Sequence, residues 1–273
     1  MTMSALLHSR WLRMLALAAL GGLCVAASAD NLERARQRGQ LAVGIEHLAP
    51  PYRAGAKFRT PEGVEAALAE DLGRRLQLGA TTRAASAADG ARLLADGGVD
   101  LLLLAVADGD PLYRHATVIP TGYMTAPMAI MRTDTAIKSW AQLKGRIVCV
   151  SEDGRYAGWA ATSYGAIEQR YRAPADALLA LRTGECDAAV HDSALLEELI
   201  KLPEWKKFSA RLPVGPKIPL VLASPRGDAA TARFLKQAAL EWRAANTPRQ
   251  LLAKAVRNIA FEVYLDQNVP DCH

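Results

Sequence analysis

The sequence has no basic block. Its 33 Lys and Arg stand against 28 Asp and Glu, a formal net charge of +5, and the two signs are interspersed. Nucleic-acid binders need a clustered cationic footprint, so no nucleic-acid partner is expected. Also missing are a Gly-x-Ser-x-Gly elbow and a glycine loop able to cradle phosphate. Histidine is scarce, five residues in 273. His47, His115 and His191 are too scattered for i, i+4 ligation, and the adjacent His191 and Asp192 face opposite sides of a strand. Neither a metal nor a cofactor is expected. Repeats and low-complexity linkers are absent, and beyond the N-terminal leader no apolar run is long enough to span a membrane.

The leader itself is well marked. Arg10 and Arg13 form a positive region, Met14 to Val25 is apolar, and Ala27-Ser28-Ala29 is a small-residue cleavage site. Residues 1–29 therefore read as a signal peptide and not as part of the fold. The competing reading is a lipoprotein anchor at Cys24, against which stands the bulky Leu23 before it. A soluble, periplasmic monomer is expected. Without Cys24 the cysteines are Cys149, Cys186 and Cys272. In an oxidising compartment they suggest one bridge and one free thiol. Cys149 and Cys186 sit in two strand patterns, and neighbouring strands would bring them within reach of a bridge. Two buried unpaired thiols are the alternative. Cys272, next to last, is expected exposed and free.

Strand and helix patterns alternate, which argues for a mostly parallel α/β sheet. "QLAVGIE" (40–46) reads as a strand. "TPEGVEAALAEDLGRRLQLG" (60–79) reads as a helix with Thr60 as N-cap, Pro61 at its first position and Gly79 past its end. "VDLLLLAVA" (99–107) is a strand buried on both faces. A second series begins after residue 130: a short helix over 136–145, a strand over 146–151, and helices over 156–171 and 173–185. Then Ala188-Ala189-Val190 forms a strand ending at His191-Asp192. Helices near 229–245 and 247–260 close the chain. The apolar segments 126–132 and 218–224 are candidates to carry the chain between two lobes.

Six stretches in order, "LAVGIEHLAPPY", "GVEAALAEDLGRRL", "GVDLLLLAVADGDPLYR", "GYMTAPMAIMRTD", "SWAQLKGRIVCVSEDG" and "LRTGECDAAVHDSALL", resemble the family 3 extracellular solute-binding proteins. These are the periplasmic components of polar amino-acid ABC transporters. The resemblance implies a type 2 periplasmic-binding fold of two α/β lobes joined by two hinge crossings. It divides the chain into a first lobe of 30–127 and 220–273 and a second of 128–219, with the C-terminal helices packed on the first. The expected ligand site is the cleft between them, outside the C-terminal strand ends.

The same resemblance nominates residues. Arg114 matches the arginine that clamps a ligand carboxylate, a role suited to a planar, permanently charged fork. Asp192 matches the acid that holds the ligand ammonium by charge-assisted hydrogen bonds; the plainer reading is a helix N-cap. The two would face each other across the lobes. Tyr52 keeps an aromatic position. Where the family usually has hydroxyls or glycine, this chain has Ala105 and Ala107, and after the second-lobe strand it reads Gly154-Arg155-Tyr156. Arg155 and Tyr156 are thus placed at the ligand, with Arg155 large enough to reshape the pocket.

The leading expectation is a non-enzymatic protein that captures an amino acid or similar zwitterion for an ABC permease in the inner membrane. One alternative is a ligand-poor accessory protein of a periplasmic redox system. Another is a cyclohexadienyl-dehydratase-like enzyme using Asp108, Asp110 or Glu152 as its acid.

Overall fold

A computed structural model describes residues 30–48 and 54–267. The signal segment, Tyr52 and Cys272 lie outside the described residues. Two five-stranded sheets organise the rest. The first holds β1 (Gln40–Ile45), β2 (Gly79–Ala84), β3 (Leu101–Ala105), β4 (Ala116–Thr125) and β10 (Ile218–Pro225), in the order β2-β1-β3-β10-β4. β1 is parallel to β2 and β3, whereas β10 is antiparallel to β3 and β4. The second holds β5 (Pro127–Met131), β6 (Ile147–Ser151), β7 (Ile167–Tyr171), β8 (Ala188–Asp192) and β9 (Ala210–Arg211), ordered β7-β6-β8-β5-β9. There β6 is parallel to β7 and β8, while β5 is antiparallel to β8 and β9. Only Ala126 separates β4 from β5, and residues 212–217 return the chain from β9 to β10. These are the two hinge crossings.

The helices of the first lobe are α1 (Asn31–Arg38), α2 (Glu65–Leu76), α3 (Ala87–Ala95) and the one-turn α4 (Leu112–His115). α2 buries Leu68, Ala69 and Leu72 completely, the stripe that its four-residue apolar spacing anticipates. α2 begins four residues later than expected. Thr60 does not cap it; its amide and hydroxyl bind the Glu262 carboxylate instead, at 3.0 and 2.6 Å. The helix ends at Gln77, in the left-handed region at φ 59°, and Gly79 is the first residue of β2.

In the second lobe α5 (Trp159–Tyr164), α6 (Pro174–Thr183) and α7 (Ser193–Leu199) alternate with the strands. The expected helix over 156–171 is cut short at Gly165, whose φ of 68° ends α5, and Ile167–Tyr171 becomes edge strand β7. The expected helix over 136–145 reduces to a 3-10 turn at Trp140–Leu143. β6 and β8 are neighbours, with Cys149 beside Ala189. Cys149 and Cys186 form a disulfide, their Cα atoms 5.8 Å apart.

The C-terminal pair divides between the lobes, contrary to the expectation that both helices lie on the first. α8 (Ala229–Ala245) packs on β4 and β10, but α9 (Thr247–Asp266) packs on α6 and α7 of the second lobe. Asn246, left-handed at φ 53°, turns one helix directly into the other, a conformation Asn tolerates better than most side chains. Leu252, Val256, Ile259 and Val263 of α9 are buried in one apolar cluster with Leu178, Leu181, Leu195 and Leu199. That cluster also contains Leu68, Leu72 and Trp242 of the first lobe, so it runs through both. No described helix is long and apolar enough to cross a membrane.

Candidate functional site

The strand ends converge. β1 runs into Glu46 and His47, β6 into the loop with Arg155 and Tyr156, and β8 ends at His191 and Asp192. The segment before α2 adds Glu62 and Glu65. Opposed C-terminal ends of parallel strands are where open α/β folds place ligands. Here the protein fills that place itself. Arg155, with a side chain 11% exposed, reaches across the cleft; its Nη1 donates to Glu46 and its Nη2 to Glu65.

Glu62, also from the first lobe, accepts a hydrogen bond from the Asp192 amide at 3.0 Å. Its other oxygen lies 3.2 Å from Nδ1 of the fully buried His191. That is an ion-pair distance without hydrogen-bond alignment, since neither ring nitrogen of His191 has a hydrogen-bond partner. His47 Nδ1 sits 2.7 Å from the Asp153 carbonyl, a further contact across the cleft. Between these groups remains a cavity of about 20 Å³, lined by His47, Glu62, Glu65, Tyr123, Arg155 and Asp192 among others. That holds about one water and no amino acid, because ligand pockets typically run to roughly 300 Å³ or more. A larger groove of about 520 Å³ opens on the hinge side, past Thr121, Arg243 and Arg249. Tyr123 lines both, and Ser193 and Ala194, directly after Asp192, line the groove.

Electrostatics divide the acids into two kinds. Burial works against ionisation of Glu62, yet the charge of His191, the Asp192 amide and His47 hold its carboxyl below the ordinary range. Glu46 is likewise lowered, burial being outweighed by His47 and Arg155. Asp192 moves the other way: burial, reinforced by Glu62 and Glu65, pushes it up to about 7 against the pull of the Ala194 amide and Arg155. Near neutrality this acid exchanges a proton, so it can accept from a cation or donate to an oxygen. Burial and the nearby acids raise Tyr123 and Tyr156, which stay protonated.

Of the residues nominated from the sequence, Arg155, Tyr156 and Asp192 come together. The Tyr156 hydroxyl approaches one Asp192 oxygen at 3.4 Å, and the other caps α7 by accepting from the Ala194 amide at 2.8 Å. The capping and cleft-facing positions of Asp192 thus coincide. Arg114 is exposed on α4 and does not line the enclosed cavity, and its side chain makes no hydrogen bond or ion pair among the described residues. Ala105 is half-buried at the end of β3 and Ala107 is exposed beyond it; neither lines the enclosed cavity. Among the described residues no cluster of His, Cys, Asp and Glu could hold a metal.

No protein-family model matches the chain, and no curated protein does. Solved structures do match. A mutant of ArgBP from T. maritima is similar at 19% identity and a TM-score of 0.57, over 83% of this chain and 99% of that one. The ancestral cationic amino acid solute binding protein AncCDT-1 is similar at 18% identity and 0.59, over 83% and 100%. The chain has the type 2 periplasmic-binding fold. A cysteine-binding protein from Campylobacter jejuni is similar at 18% and 0.56, over 84% and 94%. AncCDT-1 is also described as a precursor of cyclohexadienyl dehydratase. At such identities the likeness is one of fold.

Sequence reasoning missed Glu46, Glu62, Glu65 and His191 as members of the site. A signal was present for Glu46, which directly follows an apolar strand and so sits at a C-terminal strand end. Glu62 and Glu65 were hidden by the helix expected from residue 60, which would have made them ordinary acids near a helix N-terminus.

Proposed function

We propose that this chain is an exported solute-binding protein that captures a small zwitterionic solute, an amino acid or close relative, between its lobes for an ABC permease. One observation carries this reading: three carboxylates of the first lobe and Asp192 of the second surround an enclosed position already occupied by a cation. A ligand ammonium or guanidinium has ready partners there, and charge-assisted bonds to both lobes favour the closed state over the open one. Similarity to proteins named for arginine, cysteine and cationic amino acids supports the same class of solute. The test is thermal unfolding of the mature protein against a panel of amino acids, followed by calorimetry. A saturable rise in Tm obeying mass action is expected. No response to any amino acid would overturn the reading.

The second reading, an accessory protein of a periplasmic redox system, is favoured by one observation: the cavity enclosed beside Arg155 measures about 20 Å³. On that reading no solute stabilises the chain, and a periplasmic partner copurifies with it.

A further inference from the structure

The occupant of the cleft is itself informative. We propose that Arg155 is a tethered occupant of the solute subsite, its guanidinium standing where a guanidinium- or amidinium-bearing solute binds and which that solute must displace. This rests on the reading that the interlobe cleft is the solute site.

The geometry selects a fork rather than a point charge. Two different terminal nitrogens of Arg155 each meet a different carboxylate, Glu46 at the end of β1 and Glu65 at the start of α2. An ammonium group can share two carboxylates only from a single nitrogen, whereas here two separate nitrogens each take one. Among the groups facing the position, Glu46, Glu62, Glu65 and Asp192 are acidic, and Arg155, His47 and His191 are the basic groups. Withdrawing Arg155 leaves the buried Glu65 without its cation and the half-buried Glu46 with His47 alone, so the emptied position attracts a replacement.

The loop that carries Arg155 is held in place on its own account. The Gly154 amide donates to Ser151 O at 3.0 Å, the Glu152 amide to Tyr171 O at 2.6 Å, and Asp153 O meets His47. A Cβ at Gly154 would come within 2.7 Å of a Glu62 oxygen, so the loop approaches the first lobe as closely as glycine allows. The side chain alone can therefore leave while the loop stays. A tethered group competes at an effective concentration of roughly millimolar or more, which lowers the apparent affinity of a free competitor. Free guanidinium compounds then bind the parent weakly, and the cleft closes with no solute present.

The experiment is rescue by a free guanidinium. Mature Arg155→Ala is unfolded thermally in millimolar methylguanidinium, with methylammonium at equal ionic strength as control. The expected result is a lower Tm for the variant and a saturable recovery with methylguanidinium only, at an apparent affinity ~10-fold or more above the parent's. Adding Glu65→Gln should abolish the recovery. Should Arg155→Ala fail to fold, Arg155→Gln takes its place in the same titration. Recovery equal with methylammonium, or no recovery in a folded variant, overturns the proposal. The outcomes separate it from the transport reading. Recovery by methylguanidinium without response to any amino acid keeps the tethered occupant and rejects amino-acid capture. Stabilisation of the parent by an amino acid without recovery in the variant does the reverse.

Discussion

Arg59 of the first lobe donates through Nε and Nη2 to a single oxygen of Asp176 in the second, at 2.9 and 2.6 Å. The same guanidinium also pairs with Asp266 at the end of α9, which Lys57 joins. The Arg59 side chain is only 9% exposed. This ion-pair group clasps the lobes beside the cleft, independently of Arg155. Replacing Arg59 by Ala should cost roughly 2–4 kcal/mol, less than a fully buried pair because Asp176 is partly solvated. Denaturant unfolding checks the cost. Small-angle scattering should show a wider molecule, whereas an unchanged radius of gyration would mean that the clasp does not hold the lobes.

Asp192 makes stability depend on pH. Its carboxyl titrates near 7 in the folded chain against an ordinary 3.8. The folded state therefore binds this proton more tightly than the unfolded state. The contribution is complete below the unfolded value and is lost as pH rises through about 7, each tenfold difference in proton affinity being worth about 1.4 kcal/mol. Asn is nearly isosteric, stays neutral and also caps helices. Asp192→Asn should change Tm little near about pH 3, below the unfolded value, and raise it by several degrees near about pH 9. Parallel Tm curves for the two proteins across that range would show that Asp192 does not hold the proton.

The Cys149–Cys186 bridge spans a sequence separation of 37 and ties β6 to the turn before β8. In the chain-entropy account its loss costs roughly 3–4 kcal/mol. Replacing both cysteines by Ala should lower Tm by an amount that reductant does not increase further. Peptide mapping of the oxidised parent should recover Cys149 and Cys186 in one linked pair and Cys272 outside it.

Ile259 of α9 is fully buried among residues of the second lobe. Ile259→Ala should cost roughly 2–4 kcal/mol through lost burial and a residual cavity. Because one apolar cluster runs through both lobes, calorimetry should show a single transition moving down. Two separated transitions would mean that the lobes unfold as independent units.

Much of the frame was legible from pattern alone. The unbroken run Leu101–Leu104 is a strand buried on both faces, and the spacing of Leu68 and Leu72 marks the buried face of α2. The errors came where tertiary partners outweighed local signals. Thr60 and Pro61 form a strong start signal, but Glu262, some two hundred residues later, takes the Thr60 donors. "YAGWAATSYGAIEQRY" contains a helix and a strand, and only Gly165 marks the change. Asp192 was nominated by the resemblance, and its position between a strand and a helix gave the capping reading, which the Ala194 amide fulfils. Arg114 was nominated by a likeness that its exposed position does not carry into the enclosed cavity. The acids around Arg155 come from segments far apart in sequence, and no local pattern joins them.

The last helix also sets an order of events. As the chain emerges N-terminus first, the residues of the second lobe appear long before those of α9. Yet the apolar faces of α6 and α7 are covered by Leu252, Val256, Ile259 and Val263, at the far end of the chain. Until those residues arrive, the middle of the polypeptide carries an uncovered oily surface of the kind that invites wrong association. The second lobe, though translated early, is finished last. A chain with this arrangement completes its fold only after nearly all of it has been made.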